Sequence, residues 1–271
     1  MTIVNHDLRA VNSGTITLVP SPNFTSLEIP DLDRPDSTQK YDIGTKFEFN
    51  GKVYFYGYTT SIVTSRKGAL VSYPQAMAQR VTADADLYAT SIVVTTVSPD
   101  GPSADGTFPV DYLKGGHVVV FAESGGATDF TRGIISNTVV AVAGVMTIGL
   151  DSPLPVELVT GTSVTEAIAS PFASVCNNLG SLSQPACGVP TCYSAASKWI
   201  WLQTWGPCWL AGQTTLGVDG ALLASFRADG ALDIESAVTA NNTTQPAGYV
   251  MFNGSTSGSQ GAPFVYLQIA R

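Results

Sequence analysis

Phe47-Glu48-Phe49-Asn50-Gly51-Lys52-Val53-Tyr54-Phe55-Tyr56-Gly57-Tyr58 is the stretch on which the fold turns. Asn50-Gly51 stands between two aromatic runs, and both residues tolerate the positive φ that a type I′ turn needs. The stretch therefore reads as a β-hairpin with a two-residue loop. That loop fixes the register. Phe49 faces Lys52 and Phe47 faces Tyr54, so Phe47, Phe49, Tyr54, Tyr56 and Tyr58 share one face while Lys46 and Glu48 share the other. The aromatic face belongs to a core or an interface, and the charged face to water.

Working outward, the same punctuation recurs. From about Leu87 onward the pattern is strand, turn, strand, with candidate strands at 92–97, 117–122, 129–136, 138–143, 146–150 and 163–168. Turn clusters such as Ser98-Pro99-Asp100-Gly101-Pro102 and Ala143-Gly144 separate them at the close spacing of a barrel or sandwich. Further candidates are 198–205, 220–226, 229–234, 248–252 and 263–269. Only Pro74-Gln75-Ala76-Met77-Ala78-Gln79-Arg80 has the composition of a helical turn, with Pro at its start. A parallel α/β fold lacks its crossover helices, and no repeat period marks a solenoid or propeller. Residues 1–40 carry Pro20, Pro22, Pro30 and Pro35 among polar residues and read as an extended arm. The expectation is an all-β protein: a compact barrel or sandwich body of short antiparallel strands over 41–271, with an extended N-terminal arm over 1–40. A subdivision of the body near 170–190 stays open.

The chain has 271 residues with a formal net charge of −8, and only 13% of its residues are charged. An acidic, weakly charged surface repels phosphate backbones and anionic membranes, so neither nucleic acid nor membrane is an expected partner. The start of the chain shows no basic, then apolar, secretory pattern, and no apolar run reaches the roughly 20 residues of a spanning helix. Cys176, Cys187, Cys192 and Cys208 fall in one stretch. Their spacing lacks the paired knuckles of a zinc ribbon, which leaves free buried thiols or disulfides of unknown pairing.

Catalytic chemistry finds little support. The only histidines are His6 and His117, no G-x-S-x-G elbow presents a serine, and no Walker-type loop is present. His117 opens a candidate strand and reads as structural. Asp84 and Asp86 would share one side of an extended chain, yet the glycine and terminal glutamate of a calcium loop are missing. Paired carboxylates for sugar cleavage depend on distances that the fold sets. No catalytic residue, cofactor or metal site is expected. In the segment Lys198-Trp199-Ile200-Trp201-Leu202-Gln203-Thr204-Trp205, strict alternation puts Trp199, Trp201, Gln203 and Trp205 on one side and Ile200, Leu202 and Thr204 on the other. Both faces of its first half are apolar, so the strand must be covered twice.

The order of short motifs resembles head decoration (cement) proteins of tailed bacteriophages. It runs from Ile43-Gly44-Thr45-Lys46-Phe47 and the aromatic hairpin to Gly115-Gly116-His117-Val118-Val119-Val120. Met146-Thr147-Ile148-Gly149-Leu150-Asp151-Ser152-Pro153-Leu154 follows, then Gly188-Val189-Pro190, then Trp201-Leu202-Gln203-Thr204-Trp205-Gly206-Pro207. The resemblance covers roughly residues 41 to 225. It implies a non-enzymatic protein of the outer capsid surface that bridges major capsid protein subunits, commonly as trimers, and is assembled in the host cytoplasm. The cysteine-rich insert departs from that pattern. A tail-fibre or receptor-binding β-module and a glycan-active enzyme are the rival classes.

On this reading the residues expected at subunit or capsid interfaces are Phe24, Leu27 and Ile29 from the arm, Tyr54, Tyr56 and Tyr58 from the hairpin, and Trp199, Trp201, Trp205 and Trp209 from the tryptophan segment. Aromatic side chains are enriched at such surfaces.

Overall fold

The structure is a computed structural model that describes residues 29–65, 67–71, 77–122, 128–177, 184–212, 222–234, 245–252 and 263–271. It is all-β, with no helix among the described residues. The chain forms two compact units. The first comprises Met1–Ser72 and Ser174–Arg271, and the second is the intervening Tyr73–Ala173.

The first unit opens with β1 (Lys46–Phe49), β2 (Lys52–Thr59) and β3 (Ala69–Val71). The second supplies β4 (Met77–Arg80), β5 (Ser91–Thr95), β6 (His117–Phe121), β7 (Phe130–Asn137), β8 (Val145–Leu150) and β9 (Val164–Ile168). The chain then returns to the first unit with β10 (Val175–Cys176), β11 (Ala186–Pro190), β12 (Lys198–Trp209), β13 (Leu223–Phe226), β14 (Leu232–Ile234), β15 (Gln245–Phe252) and β16 (Phe264–Gln268).

The second unit is a six-stranded sheet in the order β4-β9-β6-β7-β8-β5, antiparallel throughout. A bridge between Val81 and Val94 joins its two ends, supported by the Thr82 N–H donating to the Val93 carbonyl at 2.9 Å, so the sheet closes into a barrel. Period-two alternation sends Ile92, Val94, Val118, Val120, Met146 and Ile148 inward, where all are fully buried. The interior is packed with side chains.

Two local expectations change here. Met77–Arg80, read as the end of a helical turn, is a strand held by β9, because pairing with Val164–Ile168 overrides the helix-forming composition. Residues 138–143, read as a strand, form the connection between β7 and β8, where only Val140 makes a bridge, to Phe108.

The first unit is a ten-stranded sheet in the order β1-β2-β10-β3-β11-β12-β16-β15-β13-β14. Because β2 also pairs with β12, the ladder β2-β10-β3-β11-β12 returns to its starting strand. The turn residues Asn50 and Gly51 have φ of 50° and 73°, and Phe47 pairs with Tyr54, as the hairpin register requires. One face of the sheet carries two buried clusters. Leu70, Val189, Phe226, Leu232, Val265 and Leu267 anchor the larger. Phe47, Tyr54, Tyr56 and Trp201 form the smaller, with Leu32, Tyr41 and Trp199 packed against it.

Leu32 and Tyr41 show what the described part of the N-terminal segment does. It lies along β2 and β12 rather than away from them. Asp36 and Trp199 exchange main-chain hydrogen bonds at 2.8 and 3.2 Å, and the Tyr56 hydroxyl donates to the Asp36 carboxylate at 2.7 Å. Lys40 adds an ion pair with Asp36 at 2.5 Å. Residues 1–28 lie outside the described residues.

Candidate interaction surfaces

β12 organises the first unit's surface chemistry. Its first half pairs with β2 and β11, and Ile200, Trp201, Leu202 and Gln203 are all buried, as a strand apolar on both faces demands. The ladder with β2 then slips. Gln203 pairs with Tyr54 but Trp205 pairs with Val53, which leaves Thr204 as the extra residue of a bulge. Tyr54 and Val53 are neighbours and point to opposite faces. Trp205 therefore points away from the face that carries Trp201, against the strict alternation expected from the sequence.

The consequence is an aromatic face on the far side of the sheet. Residues directly opposite in an antiparallel pair share a face. Trp205 is opposite Gln268, Pro207 opposite Tyr266, and Trp209 opposite Phe264. Tyr266 is opposite Tyr249, and Tyr249 opposite Leu223. The rings form a row across three strands. Tyr249 and Tyr266 stack at 5.2 Å, Tyr266 meets Trp205 edge-on at 5.9 Å, and the Arg271 guanidinium lies 5.6 Å from the Trp205 ring. The Trp205 indole N–H donates to the Tyr266 hydroxyl at 3.1 Å. Leu223, Tyr249, Met251 and Phe264 are exposed, while Trp205, Trp209 and Tyr266 are half-buried.

The expected interface residues thus separate. Trp205 and Trp209 belong to this outward face. Tyr54, Tyr56 and Trp201 are interior, with Trp201 2% exposed; Trp201 meets Tyr41 and Tyr56, and Tyr54 meets Phe47. Tyr58 and Trp199 are half-buried against each other at 5.0 Å. Ile29 is exposed, and Phe24 and Leu27 lie outside the described residues. Leu223, Tyr249, Met251, Phe264 and Tyr266, which complete the outward face, were not singled out from the sequence. Their signal was present in Tyr249-Val250-Met251 and Phe264-Val265-Tyr266-Leu267, which are apolar at odd and even positions alike.

Burial, and then the hydrogen bond to Asp36, pushes the Tyr56 hydroxyl far above the ordinary tyrosine range, and burial also raises Tyr54. None of the four cysteines is in a disulfide; Cys176, Cys187 and Cys208 are buried and Cys192 is half-buried. Burial lifts the Cys187 and Cys208 thiols to about 12, far from the range of a reactive thiolate.

In the second unit His117 is exposed at the start of β6, between the main chains of Gly133 and Ile168. Asp84 accepts hydrogen bonds from the Thr160 N–H and hydroxyl, both at 2.7 Å, which hold its carboxyl below the usual range. No cluster of three or more His, Cys, Asp or Glu side chains able to hold a metal occurs among the described residues. A shallow concavity of about 480 Å³ crosses the outer side of the barrel by Ala78, Arg80, Thr95 and Val97, and its lining holds no carboxylate, histidine or cysteine. No helix is long and apolar enough to cross a membrane among the described residues. Searches against protein-family models, curated proteins and solved structures found no match to this chain.

Proposed function

We propose that this chain is a structural protein of a bacteriophage particle, placed on the outer capsid surface, where it bridges major capsid protein subunits and carries out no catalytic step. The observation that carries the reading is the aromatic face over β12, β16, β15 and β13, set on a packed β-scaffold. Monomeric proteins rarely expose a contiguous apolar face of that kind without a partner for it. The order of motifs that resembles capsid decoration proteins supports the choice of partner. So does the acidic, weakly charged surface, which suits a protein that must stay soluble until it meets a shell. Repetition adds strength. Contacts that are weak singly become lasting when a shell offers many symmetric copies of the same site.

The test is co-sedimentation of the purified full chain with heads that lack it. Saturable binding, followed by greater resistance of the heads to heat or chelator, is the expected result. A chain that stays in the supernatant at every concentration tried contradicts the proposal.

A further inference from the structure

We infer that the second unit carries a contact of its own: a rigid tip, Tyr88 with Leu87, that seats in an apolar slot rimmed by lysine or arginine side chains on a capsid subunit. The inference rests on the decoration reading and goes beyond it. A bridge needs two contact surfaces, and the aromatic face of the first unit supplies only one.

The tip is built from two loops, 84–90 ahead of β5 and 151–160 after β8. They run side by side, tied by their main chains. Ala85 and Leu158 exchange hydrogen bonds at 3.0 and 2.8 Å, the Tyr88 N–H donates to the Leu154 carbonyl at 3.0 Å, and the Leu154 N–H donates to the Ala89 carbonyl at 2.8 Å. Leu154 and Leu158 are buried and root the loops in the barrel. A ledge fixed in this way is already ordered when a partner arrives, which lowers the entropy cost of binding.

Tyr88 gives little to the fold that holds it. Its φ of 68° lies in the left-handed region, where glycine or asparagine is at ease and a bulky side chain is strained. Yet its side chain is not tucked away in return: Tyr88 is 71% exposed, and Leu87 beside it 42%. An exposed ring on a strained backbone that neighbouring bonds over-determine has the character of a binding anchor, and tyrosine is among the residues that most often carry interface energy.

Charge identifies the occupant. Asp84, Asp86 and Glu157 flank the tip and are exposed, and no ion pair holds any of them among the described residues. Two guanidinium groups reach these loops, but both donate to main-chain carbonyls: Arg80 to Gly161, and Arg132 to Pro153 at 3.1 and 2.9 Å. Residues 81–113 and 133–197 contain no lysine or arginine. An apolar tip with an acidic rim repels another acidic chain and draws in a basic surface, so its partner differs from this chain in charge. The aromatic face of the first unit has no such rim; the one charge beside its ring row is the cationic Arg271.

Co-sedimentation of the full chain with heads that lack it, at about 50 and about 300 mM sodium chloride, reads the contact. Tyr88→Gly removes the ring and relieves the backbone, so its Tm should be no lower than that of the wild type while head binding weakens about 10-fold or more. Asp86→Asn/Glu157→Gln should weaken binding at the lower salt about 10-fold and flatten its salt dependence. This pair keeps the test open should Tyr88→Gly not fold. Asp105→Asn, an exposed carboxylate beyond the far end of β5, should change binding less than about twofold. Tip variants that bind as the wild type does, with the same salt dependence, overturn the inference. So do variants that leave head binding intact but change the sedimentation coefficient of the free chain, which would assign the tip to a second copy. A wild-type chain that ignores heads refutes the decoration reading and the tip together, whereas a wild type that binds alongside equally bound tip variants refutes the tip alone.

Discussion

Replacing Trp201 by alanine should cost far more than replacing Trp205, although the two stand four residues apart on one strand. Trp201 is almost wholly buried, and its ring meets those of Tyr41, Phe47 and Tyr56 at 5.3, 5.9 and 5.0 Å. Truncating a buried tryptophan to alanine costs about 3–5 kcal/mol, and three aromatic neighbours place Trp201 in the upper part of that range. For a unit of this size each kcal/mol moves Tm by about 2–4 °C, so a fall of roughly 8–20 °C is expected. Trp205 lies beyond the bulge on the outward face. Its removal forfeits one edge-on ring contact, one hydrogen bond and the Arg271 contact, all at a half-exposed site. A loss of about 1–2 kcal/mol is expected there. Thermal unfolding followed by near-ultraviolet circular dichroism compares the two. Equal losses would mean that strict alternation holds and that the bulge at Thr204 is wrong.

Further outcomes follow from the same geometry. At pH 8 an alkylating reagent should modify at most Cys192 in the native protein, with Cys176, Cys187 and Cys208 reacting only after denaturation; rapid labelling of three thiols would contradict their burial. Tyr56 and Tyr54 have raised pKa values in the folded state, so the unfolded chain ionises first as pH passes the ordinary tyrosine value near 10. Stability should therefore be intact below that pH and fall above it, and a Tyr56→Phe variant should show a shallower fall in urea melts at pH 9 to 11 or so. Gly206 has φ of 90°, and a Cβ there would sit 2.6 Å from the Gly51 carbonyl oxygen, so Gly206→Ala should lower stability by about 2 kcal/mol or more. Deleting residues 29–40 should destabilise the first unit, because it removes Asp36 and Leu32 from β2 and β12; an unchanged Tm would show that the segment is not part of that packing.

The hairpin was legible because Asn50-Gly51 carries its own geometry, and a two-residue loop leaves one register. The barrel strands of the second unit were legible for a related reason. Val118-Val119-Val120 and Met146-Thr147-Ile148 are flanked by turn residues, and each pairs on one side with its near neighbour in sequence, β7. β3, β10 and β11 were not read. They are short pieces held by partners far away in sequence, as when Val175 pairs with both Thr59 and Val71. Nothing local distinguishes them from loop. The bulge at Thr204 was hidden for a deeper reason. A residue's face is fixed by its partner strand, and the slip from Tyr54 to Val53 appears only once β2 lies beside β12. Trp205 was therefore named as a contact residue, but for the wrong face, and Tyr249 and Tyr266 were passed over. The sequence left a subdivision near 170–190 open, but nothing local marks Tyr73 as the place where a second unit begins, so the insertion of Tyr73–Ala173 into the first unit was not read.

We propose that the chain decorates a phage head. Electron cryomicroscopy of particles assembled with and without it tests that most directly. Added density is expected on the outer capsid surface, in symmetric copies, into which the two β-units fit, and it should be lost when the chain is omitted. Density confined to the tail, or identical particles in the two preparations, would contradict it.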